Sequence, residues 1–182
     1  MKETVLMAQQ DDLVDILAGC KRGDSESFSR LVDIYSSRLY GYFYRLTGNS
    51  TVSDDLLGEL FVKLVEKIKG FKGGSFEAWL FKVASNIFYD HLRSKQRDKE
   101  FLGEKVQQFE LANVEGEKTG EEVSDELQQN LERLDDETRE LIMLRFYGQL
   151  SFKELAEMQK APIGTVLSKV HRGLQKLREF ME

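Results

Sequence analysis

Residues 151–181 read SFKELAEMQKAPIGTVLSKVHRGLQKLREFM, and this stretch decides the architecture. Ser151, followed three residues later by Glu154, makes a capping box: the hydroxyl accepts an orphan amide while the carboxylate reaches back to the serine N–H. It opens a short helix that ends near Met158 or Gln159. Pro162 then stands where a first helical turn tolerates a missing N–H, and the pattern continues as a helix to about Met181. Projected at about 100° per residue, Ile163, Val166, Leu167, Val170, Leu174 and Leu177 gather within about 50° of one direction. Thr165, Ser168, Lys169, Arg172 and Lys176 fall on the opposite side, with no carboxylate there before Glu179. A short helix, a tight turn and a longer second helix are the dimensions of a helix-turn-helix. One face buries in a domain. The other offers the hydroxyls and cations that a helix in the major groove uses on phosphates and base edges. A merely solvated helix would share the periodicity, but such faces ordinarily mix charge signs and this one does not.

Working outward, Leu127, Leu131 and Leu134 mark one short helix, and Thr138 to Tyr147 forms the next, with Gly148 as its left-handed C-cap. Towards the N-terminus, a helix from about Asp11 to Arg22 carries Leu13, Ile16 and Leu17, and Gly23 stops it. Asp24 is the N-cap of a second helix bearing Phe28, Leu31, Val32, Tyr35, Leu39, Tyr42 and Phe43 at three- and four-residue steps. Gly48-Asn49-Ser50 breaks it. A third helix runs from near Ser53 to Gly70, and a fourth from Phe76 to about Arg97. The chain has a single proline, Pro162, and no sustained alternation of period two, so the fold class is all-α: two small helical domains. The expected division is residues 1–97, an acidic linker over 98–125, and residues 126–182.

The formal charge of −6 first argues against a nucleic-acid partner, but its distribution reverses that inference. Lys and Arg exceed Asp and Glu by one across residues 1–97, fall ten short across 98–137, and exceed them by three across 138–182. The acidity sits in one central block of the kind that marks a solvated segment. Cys20 is the single cysteine and the histidines are His91 and His171, which excludes a disulfide framework and any metal-ligand cluster. No cofactor is expected. No apolar run approaches a membrane span and no signal-peptide pattern opens the chain, so the expectation is a soluble, reduced, cytoplasmic protein without membrane insertion. Neither a nucleophile–base pair nor a complete phosphate-cradling glycine loop is present, which argues against an enzyme.

Two further helices carry patterned outer faces. On the fourth, Phe76, Leu80, Val83, Ala84, Ile87 and His91 share the core-facing side. Lys82, Asn86, Tyr89 and Arg93 form a stripe on the reverse. An amide, an aromatic and two cations suit single-stranded nucleic acid, through edge reading, stacking and phosphate contact. A half-buried rim tyrosine and a solvated asparagine would leave the same pattern. On the third helix, Asp55, Glu59, Val62 and Glu66 make an acidic ridge broken by one valine. It fits a solvated face beside Lys63 and Lys67, and equally a docking ridge for a basic partner.

Taken together, these residues resemble the bacterial sigma factors of the extracytoplasmic-function (ECF) group. Residues 28–35 (FSRLVDIY), 54–64 (DDLLGELFVKL), 71–86 (FKGGSFEAWLFKVASN) and 90–93 (DHLR) are similar to sigma region 2. Residues 150–158 (LSFKELAEM) and 161–174 (APIGTVLSKVHRGL) are similar to region 4, and nothing is left over for a region 3. The resemblance implies a non-enzymatic subunit that binds core RNA polymerase and promoter DNA. In such proteins the helix matching Asp54–Ile68 docks on the clamp coiled coil of the largest subunit. The segment matching Phe76–Arg97 opens the −10 element and captures an unstacked base. Region 4 sits on the flap of the second-largest subunit and reads the −35 element with the helix matching Pro162–Arg178. The acidic linker resembles one that threads the RNA exit path, and an anti-sigma factor is a common partner. Weak DNA binding by the free chain is then no objection, because the polymerase supplies much of the phosphate contact. The chain departs from the pattern at Gly58, where Gln is usual, at Lys160, where a left-handed glycine is common, and at Leu167, where Lys or Arg is common.

Two other readings use the same residues. An ordinary helix-turn-helix regulator would bind a two-fold operator as a dimer without polymerase. A protein-binding adaptor that occupies polymerase without reading DNA would be indifferent to neutralising Lys169 and Arg172.

Overall fold

A computed structural model describes residues 2–106 and 126–181, with side chains described for 12–98 and 126–181. Eight α-helices follow one another in the described residues: α1 (Lys2–Arg22), α2 (Ser25–Thr47), α3 (Ser50–Lys67), α4 (Phe76–Val106), α5 (Glu126–Glu132), α6 (Asp136–Phe146), α7 (Phe152–Gln159) and α8 (Ile163–Met181). A single 3₁₀ turn, Ile68–Gly70, ends α3. No strand occurs among the described residues.

Local chemistry sets the boundaries. Asp24 caps α2 by accepting from the Ser27 amide, and Gly48 ends the helix in the left-handed region, at φ 65°. Asn49 then caps α3 through the Val52 amide, so that helix starts at Ser50, three residues earlier than its apolar pattern indicates. Ser151 and Glu154 form both halves of the capping box on α7. Two ends differ from the sequence reading. Helix α4 continues to Val106, nine residues beyond Arg97, because nothing in Asp98–Val106 forbids a helix. The rest of the expected linker, 107–125, lies outside the described residues. Gly148 is not the left-handed residue after α6; that conformation falls on Gln149, at φ 55°. What Gly148 supplies is room, since a Cβ there would lie 2.5 Å from the Leu144 carbonyl oxygen and 3.2 Å from the Phe81 ring.

Helix α2 is the centre of the molecule. Leu31, Tyr35, Leu39, Tyr42, Phe43 and Leu46 are all buried on it, more than one neighbour can cover. It packs on α1, α3 and α4 on one side and on α5 and α6 on the other. The apolar core is therefore continuous from Ile16 in α1 to Leu177 in α8. Phe81 of α4 meets the Tyr42 ring edge-on at 5.4 Å. Near the start of α4, Phe71, Phe76 and Trp79 pack as an aromatic cluster. The Lys21 ammonium donates to the Phe71 carbonyl at 2.6 Å, tying α1 to the loop that presents α4.

Candidate nucleic-acid and polymerase interfaces

The turn before α8 determines how that helix is presented. Lys160 takes the left-handed conformation, at φ 51° and ψ 40°, and its amide bonds back to the carbonyls of Ala156 and Glu157. The turn is thus the one a glycine would make, at a cost of about 1–2 kcal/mol for the lysine Cβ. The Pro162 carbonyl accepts the first amides of α8, from Thr165 at 3.0 Å and Val166 at 3.2 Å. Thr165, Ser168, Arg172 and Lys176 are then exposed along one side. Lys169 is only partly exposed and forms an ion pair with Glu137 of α6. Four of the five residues expected at duplex DNA are therefore free to solvent, and the fifth is held against its own domain.

The opposite side of α8 differs from its expected form. Val166, Val170 and Leu177 are buried, with Gly173 between them. Ile163, Leu167 and Leu174, read from their periodicity as core, are 52%, 48% and 40% exposed. Periodicity grouped all six apolar positions, but the partner helices cover only one edge of that stripe. The uncovered edge carries Leu174 and Met181 into a groove completed by Leu131, Met143 and Phe146, with the guanidinium-bearing Arg178 at its margin.

On α4, Phe76, Leu80, Val83, Ala84 and Ile87 are buried as expected, and His91 is half-exposed. A second buried face, Phe81, Ser85 and Phe88, was not legible from the pattern, because it packs on elements far along the chain. Lys82, Asn86 and Arg93 are exposed, with Arg93 paired to Asp90. Tyr89 is half-buried and its hydroxyl donates to Glu140 Oε2 on α6 at 2.7 Å. Burial and then the Glu140 carboxylate push the Tyr89 phenol well above its ordinary range. The stripe expected at single-stranded DNA is thus three exposed residues, one of them paired to Asp90, and a tyrosine engaged by α6.

The ridge on α3 is intact: Asp55, Glu59, Val62 and Glu66 are all exposed, with Val62 at 62%. Lys63 pairs with Glu59 at 2.6 Å, one turn away, which neutralises part of the acidity. Val65, 53% exposed and three residues from Val62, enlarges the apolar anchor. Its spacing from Val62 was the available signal. Among the described residues no group of His, Cys, Asp and Glu side chains is gathered as a metal ion would need, and no helix is long and apolar enough to cross a membrane.

Two family models match the chain. Residues 31–98 match the model of Sigma-70 region 2, and residues 130–179 that of Sigma-70 region 4. The ECF RNA polymerase sigma factor SigW of Bacillus subtilis is 30% identical over 171 residues, covering 87% of this chain and 91% of that one. SigE of Mycolicibacterium smegmatis is 32% identical over 158 residues, covering 85% of this chain and 62% of its own. The fold is shared with the sigma factor RpoE of Bartonella quintana, solved with the anti-sigma factor NepR (TM-score 0.66, 23% identity, 86% of this chain and 97% of that one). It is also shared with CnrH, solved with the cytosolic domain of CnrY (TM-score 0.67, 21% identity, 91% and 94%). With both regions matched in order and SigW aligned over nearly its whole length, the chain belongs to the ECF RNA polymerase sigma factors, non-enzymatic subunits that direct promoter-specific transcription.

Proposed function

We propose that the three faces divide the work of promoter selection among them. Thr165, Ser168, Arg172 and Lys176 read the −35 duplex, with Lys169 contributing when it leaves Glu137. Lys82, Asn86, Tyr89 and Arg93 hold and read the −10 strand. Asp55, Glu59, Val62 and Glu66, extended by Val65, dock on the clamp coiled coil of the polymerase's largest subunit. The apolar groove beside Leu174, Phe146 and Met181 takes the flap of the second-largest subunit. In this division residues 1–97 and 126–182 are the two working domains and 98–125 the acidic connection, whose first part continues α4. The chain acts in the cytoplasm and is restrained by an anti-sigma factor, a partner of the kind with which its structural relative RpoE was solved.

One observation carries this reading: the side of α8 bearing Thr165, Ser168, Arg172 and Lys176 is exposed and free of carboxylate, while the opposite side carries an exposed apolar groove. A single helix can then meet DNA and a protein at once. The test is co-elution of the purified chain with bacterial core polymerase on size exclusion, with and without a Glu59→Arg, Glu66→Arg pair. Co-elution weakened by the charge reversal supports the division. Failure to co-elute, with the free chain binding duplex DNA as a dimer, overturns it in favour of an ordinary regulator.

A further inference from the structure

Among the described residues, two that are not glycine take the left-handed conformation: Gln149 at φ 55° and Lys160 at φ 51°, one on each side of α7. Glycine enters that region freely, and Asn or Asp can do so with a local hydrogen bond, but Gln and Lys have neither advantage. Each therefore carries strain that some other contact must offset. At Gln149 the offset is packing. The preceding Gly148 has no room for a Cβ beside the Leu144 carbonyl oxygen, and the following Leu150 is buried. Gln149 itself lines a cleft with Arg38, Tyr35 and Ser75. The contacts on either side of it impose the turn, whatever residue stands at 149.

Lys160 has no such return within the fold. Its side chain is exposed, and the bonds to the Ala156 and Glu157 carbonyls come from its backbone amide, which a glycine would make equally well. It forms no ion pair with a described residue, Glu157 three residues earlier included. What distinguishes it is its place along the chain. The polar stripe of α8 opens with two hydroxyls, Thr165 and Ser168, and the cations Lys169, Arg172 and Lys176 all follow them. The first of those cations is already held by Glu137. Without Lys160, the end of the stripe nearest the turn would have no cation of its own. A helix in the major groove has a phosphate strand along each wall, and contacts to those strands fix its register on the duplex.

We propose that Lys160 is a positioning residue for −35 recognition: its ammonium holds a backbone phosphate beside the end of α8 that carries Thr165 and Ser168, and that contact offsets the left-handed strain. The proposal rests on the assignment of the α8 stripe to the −35 duplex given above. A phosphate carries no sequence, so Lys160 sets how firmly Thr165 and Ser168 are seated and leaves their choice of bases alone. Folding and DNA contact then pull in opposite directions at one side chain. A residue kept for the fold alone has no such conflict.

The test compares Lys160→Gly, Lys160→Arg and Gln149→Gly in the full chain, each assembled with bacterial core polymerase on a promoter duplex that the parent holoenzyme selects from random DNA. Thermal unfolding of the free chains should place both glycine variants about 2–4 °C above the parent, since each sheds left-handed strain. Promoter binding should then separate them. Lys160→Gly should bind several-fold more weakly, and the slope of its log affinity against log salt should fall by about 0.9, the share of one phosphate. Lys160→Arg and Gln149→Gly should keep the parent's slope. Replacing the −35 phosphates one at a time by neutral methylphosphonate should reveal one position that weakens the parent and leaves Lys160→Gly indifferent. Parent-like affinity and slope in Lys160→Gly, on a duplex that Arg172→Ala still binds weakly, overturn the proposal and leave the −35 reading standing. A lower thermal midpoint for Lys160→Gly also overturns it, because the lysine would then be kept for the fold. Selected DNA without a −35 element, or an Arg172→Ala variant that binds as the parent does, overturns the −35 reading and Lys160's role with it.

Discussion

Helices α4 and α8 both carry polar stripes suited to nucleic acid, but they are held in opposite ways. Helix α4 is buried on two faces, one by its own domain and one by the half of the chain that follows it, and Tyr89 is drawn into that second contact. Helix α8 is buried along one edge only, and exposes both a polar stripe and an apolar ridge. The difference lies in which neighbours cover each helix, since both are amphipathic to begin with. On the proposed assignments, the −35 face is exposed in the free chain while part of the −10 face is already engaged within it.

The largest effect that could break this contrast is on stability. Phe81 lies fully inside, between the Tyr42 ring and Gly148, so Phe81→Ala should destabilise the chain by about 3–5 kcal/mol. Leu174 is 40% exposed, and Leu174→Ala should cost under about 1 kcal/mol while weakening polymerase binding. Urea unfolding of both variants checks the pair. Equal costs would mean that the two helices are not differently covered.

Within α8, Arg172 and Lys169 sharpen the comparison at the next scale. Arg172 is exposed and donates back to the Ser168 carbonyl, at 3.3 Å, whereas Lys169 already has Glu137. Arg172→Ala should reduce −35-dependent transcription by the equivalent of about 1–3 kcal/mol and lower the salt dependence of binding by about one phosphate. Lys169→Ala should do less, because the lysine must first give up an ion pair. A larger loss at Lys169 would show that Glu137 releases it and that α8 is less free than it looks.

These contrasts also mark where the sequence was legible. Caps were, because they are local: Asp24, Ser151 and Glu154 act on amides within three residues of themselves. The two-region organisation and the polar side of α8 were legible for the same reason, through periodicity and charge sign. Coverage was not. Nothing in the spacing of Ile163, Leu167 and Leu174 says that α5 and α6 stop short of them, and nothing around Phe81, Ser85 and Phe88 announces a partner more than fifty residues away. Glu140 shows the limit most plainly: an acidic residue between Arg139 and the apolar run Leu141–Leu144, it reads as a surface residue until α2 and α4 are laid over it.

That same carboxylate gives the contrast a pH dependence. Burial raises the Glu140 pKa above its ordinary 4.5, against the opposing hydrogen bonds from Ser85, Tyr89, Tyr42 and Gln159. A raised value in the folded state means that this state takes up the proton more readily. The corresponding stability is fully present below 4.5 and is lost as pH rises through the raised value. The tyrosines facing it from α2 and α4 stay neutral throughout, since both are pushed upward. Asp136 and Glu137 on its own helix add negative charge nearby, which reinforces the direction at Tyr89. The parent should therefore gain stability relative to Glu140→Gln as pH is lowered from neutral towards 5, with other carboxylates cancelling between the two chains. A difference that stays flat, measured by urea unfolding at several pH values, would mean that Glu140 is not buried by the other half in solution.

The smallest effect compares two glycines. Gly41 and Gly58 each interrupt a helix at an interior position, and each should forfeit up to about 1 kcal/mol relative to alanine for the same entropic reason. Their surroundings differ: a Cβ at Gly58 meets nothing within 4 Å, while one at Gly41 runs into the Tyr147 ring. Gly58→Ala should then raise stability by about 0.5–1 kcal/mol, read as a higher thermal midpoint, with no change in the radius of gyration. Gly41→Ala has the same local gain available but must displace that aromatic ring, so its net stabilisation should be smaller or reversed. If the two substitutions stabilise equally, the Tyr147 ring gives way without cost, and Gly41 is not what admits it. If only Gly58→Ala stabilises, one glycine is a helix defect on an open face and the other is retained by a contact between the two halves, which places the selective difference between α3 and α2 in packing rather than in helix propensity.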